Sequence, residues 1–201
     1  ALASYAQSSV HYYFRTMDIK NGLSQNTVYQ ILQDKKGFMW FGTKDGLNRY
    51  DGLSFRIYKK ENSSLGKNFI TALYEDNKGN IWIGTDGGVY IYNPIVDSFV
   101  AFDRLSDMGE SIKDFVTMIG SDGGDNIWIS VENQGLFCYN CGDNKLMNYL
   151  HNSELANVTR FWFDGNTCWL ALYADNLYYT KDESKTNLEP FKDMAGNEIF
   201  K

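Results

Sequence analysis

Short apolar runs punctuated by Asp, Asn and Gly recur along this chain, most clearly around residue 80. Ile70-Thr-Ala-Leu-Tyr-Glu75, Asn80-Ile-Trp-Ile-Gly84, Val89-Tyr-Ile-Tyr92 and Ser98-Phe-Val-Ala-Phe102 are rich in β-branched and aromatic residues, which predicts short strands. Between them stand Asp76-Asn-Lys-Gly79, Thr85-Asp-Gly-Gly88 and a loop through Pro94. Glycine after Asp or Asn supplies the positive φ that tight hairpin turns require. The unit is therefore four antiparallel strands joined by short turns.

This unit repeats. Trp40, Trp82, Trp128 and Trp169 are separated by 42, 46 and 41 residues. Asp34, Asp76 and Asp122 each stand six residues before their tryptophan, and Asp164 five before its own. Tyr50, Tyr92, Tyr139 and Tyr179 follow ten or eleven residues later. Four short strands in a period near 40 predict an all-β fold built from β-propeller blades, at about 28–58, 70–102, 115–149 and 158–191. The fourth copy diverges most, with Asn176 where the others have Gly46, Gly88 and Gly135. Asn tolerates the left-handed conformation that the turn needs. The tryptophans read as packing between blades, and the aspartates as turn residues capping local amides.

Both ends of the pattern suggest a partial ring. Tyr12-Tyr-Phe-Arg15 matches Phe55-Arg-Ile-Tyr58 and predicts an orphan outer strand. The tail at 192–201 looks like the approach to a further blade. The expectation is an N-terminal part of a larger propeller, whose open edge invites the remaining blades or a homo-oligomer. Residues 1–11 read either as the small-residue remnant of a secretory signal, with Ser4 and Ala6 before a cut, or as a flexible N-terminus.

Composition narrows the function classes. The formal net charge is −6 with no basic run, which argues against a nucleic-acid surface. No stretch reaches the roughly 18 apolar residues of a membrane span. Aromatics make up 16% of the chain against two prolines, in keeping with many short strands. Cys138 and Cys141 form a Cys-x-x-Cys at a strand end, where a disulfide or two separate thiols are both open; Cys168 reads as a small core residue. No cofactor or metal is expected: a single Asp-x-x-Gly offers too few oxygens for calcium, and Asp122-Gly-Gly-Asp-Asn126 is the richest such cluster.

Gly22-Leu-Ser-Gln-Asn-Thr-Val28, then Gln33-Asp-Lys-Lys-Gly-Phe-Met-Trp-Phe-Gly-Thr-Lys-Asp-Gly-Leu-Asn-Arg-Tyr-Asp51, is more specific than a generic blade. Together with Glu75-Asp-Asn-Lys-Gly-Asn-Ile-Trp-Ile-Gly-Thr-Asp-Gly-Gly-Val-Tyr90, it resembles the two-component regulator propeller repeat. The resemblance is strongest in the first two repeats and weakest in the fourth. It implies a seven-bladed propeller in the periplasmic region of a hybrid two-component histidine kinase. It further implies an oligosaccharide ligand, with the signal passed to a kinase absent from these residues. Neither His11 nor His151 has a phosphoacceptor context.

Alternation of strand direction puts the loops before the first strand and between the second and third on one face. There the sequence places Asn26, Lys44, Asp45, Asn68, Asp86, Glu132, Asn133 and Tyr173 as candidate ligand residues, with Ser24, Lys67, Asn157 and Asp175 beside them. Such polar and aromatic groups suit sugar hydroxyls and sugar faces, although Asn, Asp and Gly also simply make turns. Two rival readings are a protein-binding propeller scaffold and a glycan-active hydrolase. For the latter, Arg15, Arg49, Arg56, Arg104 and Arg160 offer no evident convergent cluster.

Overall fold

The computed structural model describes residues 12–150, 157–173, 177–180 and 188–192, and folds the four repeats into four antiparallel four-stranded sheets. Blade 1 contains β1 (Val28–Gln33), β2 (Met39–Thr43), β3 (Gly46–Tyr50) and β4 (Phe55–Tyr58). Blade 2 contains β5 (Ile70–Glu75), β6 (Ile81–Thr85), β7 (Gly88–Asn93) and β8 (Ser98–Ala101). Blade 3 contains β9 (Val116–Ser121), β10 (Asn126–Val131), β11 (Gly135–Asn140) and β12 (Lys145–Asn148). Blade 4 contains β13 (Val158–Asp164), β14 (Thr167–Leu172), β15 (Leu177–Thr180) and β16 (Glu189–Pro190). The first strands β1, β5, β9 and β13 are successive neighbours, so they lie innermost and each blade runs outward from them in chain order.

Register explains why tryptophan recurs. Trp40 pairs with Leu32, and two residues on Gly42 pairs with Gln30, which puts Trp40 and Gly42 on the same side of the sheet. That side meets blade 2. A Cβ on Gly42 would lie 2.7 Å from Ile70 Cγ2, and one on Gly84 only 2.6 Å from Val116 Cγ1. Each of these glycines is thus a hole filled by the β-branched residue that opens the next inner strand. Trp40 packs among Ile70, Leu73, Ile81, Ile83 and Tyr92 of blade 2. Trp82 faces Val116, Ile119, Ile127 and Ile129 of blade 3, and Trp128 faces Val158, Phe161, Cys168 and Leu170 of blade 4. The core is a series of such interfaces.

The Asp-x-x-Gly turns build their own network. Asp34 accepts from the backbone of Lys36 and Phe38 and from the Trp40 indole at 2.8 Å. Asp76 takes the Trp82 indole at 3.0 Å, and Asp122 that of Trp128 at 3.1 Å. One carboxylate therefore closes the hairpin and anchors the interface ring. At the opposite end of the same hairpins, the Thr43 and Thr85 hydroxyls donate to Gly46 O and Gly88 O.

Several expectations are corrected. Tyr12–Arg15 is not paired here and its rings are 77–96% exposed; an outer strand needs a third strand of its blade to pair with, and the described residues offer none, so the expectation of an outer strand is left open. Of the last strand of blade 4, expected over Asn187–Phe191, Asn187 lies outside the described residues, and the ladder is seen at Glu189–Pro190, where proline removes a donor. Asp164 is exposed and makes no carboxylate–indole bond, since its hairpin is one residue shorter. Trp169 keeps the same register, but stacks on Trp162 (5.4 Å, 2° between planes), with Tyr179 tilted against it and Phe191 edge-on, on a sheet face that no other described blade covers. Cys138, Cys141 and Cys168 form no disulfide with one another. Cys138 packs into the blade 3–4 core and Cys141 against the blade 2–3 core, so their side chains sit on opposite faces of one sheet. Residues 1–11 with His11, His151, Asp175, Asn176 and the tail at 193–201 lie outside the described residues.

Candidate functional site

The face expected to hold a ligand forms where, in blades 2 to 4, the second-to-third strand turn bonds back to the entry of its own inner strand. Asp86 N donates to Phe69 O (3.3 Å), Glu132 N to Phe115 O (2.9 Å) and Tyr173 N to Asn157 O (3.0 Å). These bonds extend the inner hairpins by one pair. They also bring the residue just before each inner strand to the rim of the axis. That residue is Thr27, Phe69, Phe115 and Asn157 in blades 1 to 4.

Aromatic side chains join across the blades there. Tyr29, 47% exposed, packs on Phe69 at 4.7 Å between ring centroids, and Phe69 meets Phe115 edge to face at 5.5 Å. The Lys44 ammonium sits 5.9 Å above the Phe69 ring, and the Lys67 side chain lies against Gly87. The row ends at a cleft of about 260 Å³ between blades 3 and 4. Phe115, Thr117, Glu132, Asn133, Asn157 and the exposed Tyr173 line it. Asn133 adopts a left-handed conformation (φ 60°), and its N–H donates to Asn157 Oδ1 at 3.3 Å. Among the described residues Glu132 has no ion-pair partner.

Of the candidate residues, Lys44, Asp86, Glu132, Asn133 and Tyr173 are exposed on this face. Three others are occupied locally. Asn26 accepts from Ile19 N, Asp45 pairs with Lys59, and Asn68 accepts from Lys60 N and donates to Glu61. Tyr29, Phe69 and Phe115 escaped the sequence reading, although an aromatic immediately before the first apolar strand residue, in both Phe69-Ile70 and Phe115-Val116, was a legible signal. Groups of this kind can stack on sugar faces and hydrogen-bond hydroxyls.

The perturbed titrations lie elsewhere, and one group of them sits between blades 1 and 2. Arg49 and Arg56 converge on Asp97, with Arg56 at 2.5 Å, and Tyr58 and Tyr92 donate to the same carboxylate. Burial pushes the Tyr58 and Tyr92 phenols above their usual range. Burial likewise raises the Cys141 thiol, with the nearby Asp76 charge acting in the same direction. Arg160 instead donates to the Thr117 and Thr159 carbonyls, so the described arginines do not gather into one anion site. Among the described residues no helix is long and apolar enough to cross a membrane.

Sheets radiating from an inner ring of strands, each sealed to the next by one indole, define a β-propeller of antiparallel four-stranded blades. Residues 22–45 and 64–87 match the family described as two component regulator propeller. Histidine kinase P4 of Formosa agariphila is 46% identical over 59 residues, which is 29% of this chain and 4% of that protein. The extracellular domain of hybrid two component system BT3049 from B. thetaiotaomicron superposes with a TM-score of 0.76 at 26% identity, over 92% of this chain and 28% of that one. The extracellular domain of BT4673 from the same organism gives 0.74 at 20% identity, over 90% and 29%, a likeness of fold alone. This chain therefore spans less than a third of each of these relatives.

Proposed function

We propose that this chain is part of the extracytoplasmic, periplasmic propeller of a hybrid two-component sensor, and that its rim face recognises an oligosaccharide. The observation that carries this reading is the aromatic row Tyr29–Phe69–Phe115 leading into a polar cleft on a single face. Sugars need both components, because their C–H faces stack on rings while their hydroxyls require donors and acceptors. The likeness to extracellular domains of two-component systems supports the sensory context. The remaining blades of the parent chain would cover the open face at Trp162, Trp169 and Tyr179, and a kinase elsewhere in that parent would receive the signal. Signalling then requires the ligand to bind two arrangements of the ectodomain with different affinity.

Calorimetric titration of the complete parent ectodomain with a panel of defined oligosaccharides tests the reading. Saturable binding that weakens when Phe69 or Phe115 is replaced is the expected result. An ectodomain that bound no glycan but captured a protein partner would establish a scaffold instead.

A further inference from the structure

The inner-rim position carries phenylalanine in blades 2 and 3 but Asn157 in blade 4. The backbone around it is the same, since Tyr173 N bonds to Asn157 O as Glu132 N bonds to Phe115 O. What differs is volume: where a third ring would continue the row, an amide stands and a cleft of about 260 Å³ opens beside it. Sites for drug-sized ligands run to about 300–1,000 Å³, so this one is of a size for a single sugar unit. We infer that the cleft is a one-unit subsite for an uncharged sugar residue of the ligand, an inference that rests on the glycan-sensing reading above.

The chemistry of the lining sets the charge preference. Among the described residues that line the cleft Glu132 is the one carboxylate, and it makes no ion pair with another described residue. An ionised carboxylate only accepts hydrogen bonds, so it suits vicinal hydroxyls and repels a uronate or sulfate brought alongside. Thr117 directs its hydroxyl to Val158 O at 3.0 Å, and Thr159 to Ala171 O at 3.0 Å. The Asn157 oxygen is held by Asn133 N–H, which leaves the Asn157 amide nitrogen as the donor offered to the sugar. Tyr173, 77% exposed, supplies a ring at the mouth. Lys44 stands over Phe69, Lys67 lies against Gly87 and Lys113 lines a separate pocket with Gly87 and Ile112. Arg160, next to the cleft, spends its guanidinium on the Thr117 and Thr159 carbonyls, so Glu132 is the charge offered to a ligand there and acidic substituents are disfavoured.

Two variants of the complete ectodomain decide it, titrated with neutral gluco- and galacto-oligosaccharides and with their glucuronic and galacturonic counterparts. Asn157→Phe restores the ring that blades 2 and 3 carry and fills the cleft. It should weaken neutral-oligosaccharide binding about tenfold or more while leaving the thermal midpoint unchanged. Glu132→Gln should bring the affinities for neutral and acidic ligands towards each other. Wild-type binding that both variants leave intact, or a wild-type preference for uronates, would overturn the subsite while the glycan reading stands. Wild-type protein that binds none of these ligands would overturn both.

Discussion

Tyr58 of blade 1 and Tyr92 of blade 2 donate to the same oxygen of Asp97, at 3.0 and 2.7 Å. Arg49 donates to the Tyr92 hydroxyl at 2.9 Å, and Arg56 pairs with the other Asp97 oxygen. Burial alone would raise the Asp97 carboxyl, but the two phenols and Arg56 outweigh it and hold it below the ordinary range. A carboxyl depressed in this way favours the folded state above its unfolded value of about 3.9 and loses that contribution as pH falls through the folded value. The phenols act oppositely: raised in the fold, they contribute below about pH 10 and lose it as pH rises through their folded values. Urea midpoints should therefore fall at both pH extremes. Asp97→Asn should flatten the acid limb and Tyr58→Phe the alkaline one; parallel profiles for wild type and variants would contradict the network's role.

The carboxylate–indole bond makes a comparative prediction. Asp76 is buried and serves Lys78 N, Asn80 N and the Trp82 indole, whereas Asp164 is exposed and serves no indole. Removing Asp76 strands several donors near the core. Asp76→Ala should cost about 2–4 kcal/mol in urea unfolding, and Asp164→Ala no more than about 0.5 kcal/mol. Equal costs would mean that the turn, rather than the bond to tryptophan, is what matters.

Glycine in a central strand is normally unfavourable, yet Gly84 stands in β6 because its missing Cβ is the space occupied by Val116 of blade 3. Gly84→Ala should cost about 1–3 kcal/mol through overpacking. In a Val116→Ala background the same change should cost clearly less, giving a coupling energy in a double-mutant cycle. Simple additivity would show that the two residues do not share the hole.

On the proposed ligand face, Phe69 is flanked by Tyr29, Phe115 and the Lys44 ammonium. Phe69→Ala interrupts the row at its centre. The expected result is about a tenfold loss of oligosaccharide affinity, in line with roughly 1 kcal/mol or more per aromatic contact. Asn68→Ala, next to it in sequence but engaged with Lys60 and Glu61, should leave affinity unchanged.

The blades were legible because their determinants are local: Asp-x-x-Gly turns, apolar alternation and one tryptophan per period are all written within some 40 residues. The candidate site was legible only as far as its loops. Sequence could assign Glu132, Asn133 and Tyr173 to the correct loops, but whether a loop side chain is spent on a neighbour depends on contacts between distant segments. Asn26, Asp45 and Asn68 have the same residue chemistry as Glu132 and Asn133, yet are occupied by Ile19, Lys59 and Lys60. Tyr12–Arg15 shows the same dependence, since a strand is a property of a pair and its partner is not among the described residues.

Trp128 and Trp169 occupy the same register position, but Trp128 is 1% exposed beneath blade 4 while Trp169 is half-buried on an uncovered sheet beside the 44%-exposed Trp162. In this 201-residue chain, Trp128→Ala should cost about 3–5 kcal/mol and Trp169→Ala distinctly less, because truncating an open ring leaves no sealed cavity. Acrylamide should quench Trp162 and Trp169 preferentially. In a longer ectodomain whose next blade seats a β-branched residue against Ala171, as Ile70 seats against Gly42, the two substitutions should become equally costly and the preferential quenching should vanish. Persisting inequality in that longer protein would show that something other than a blade covers this face.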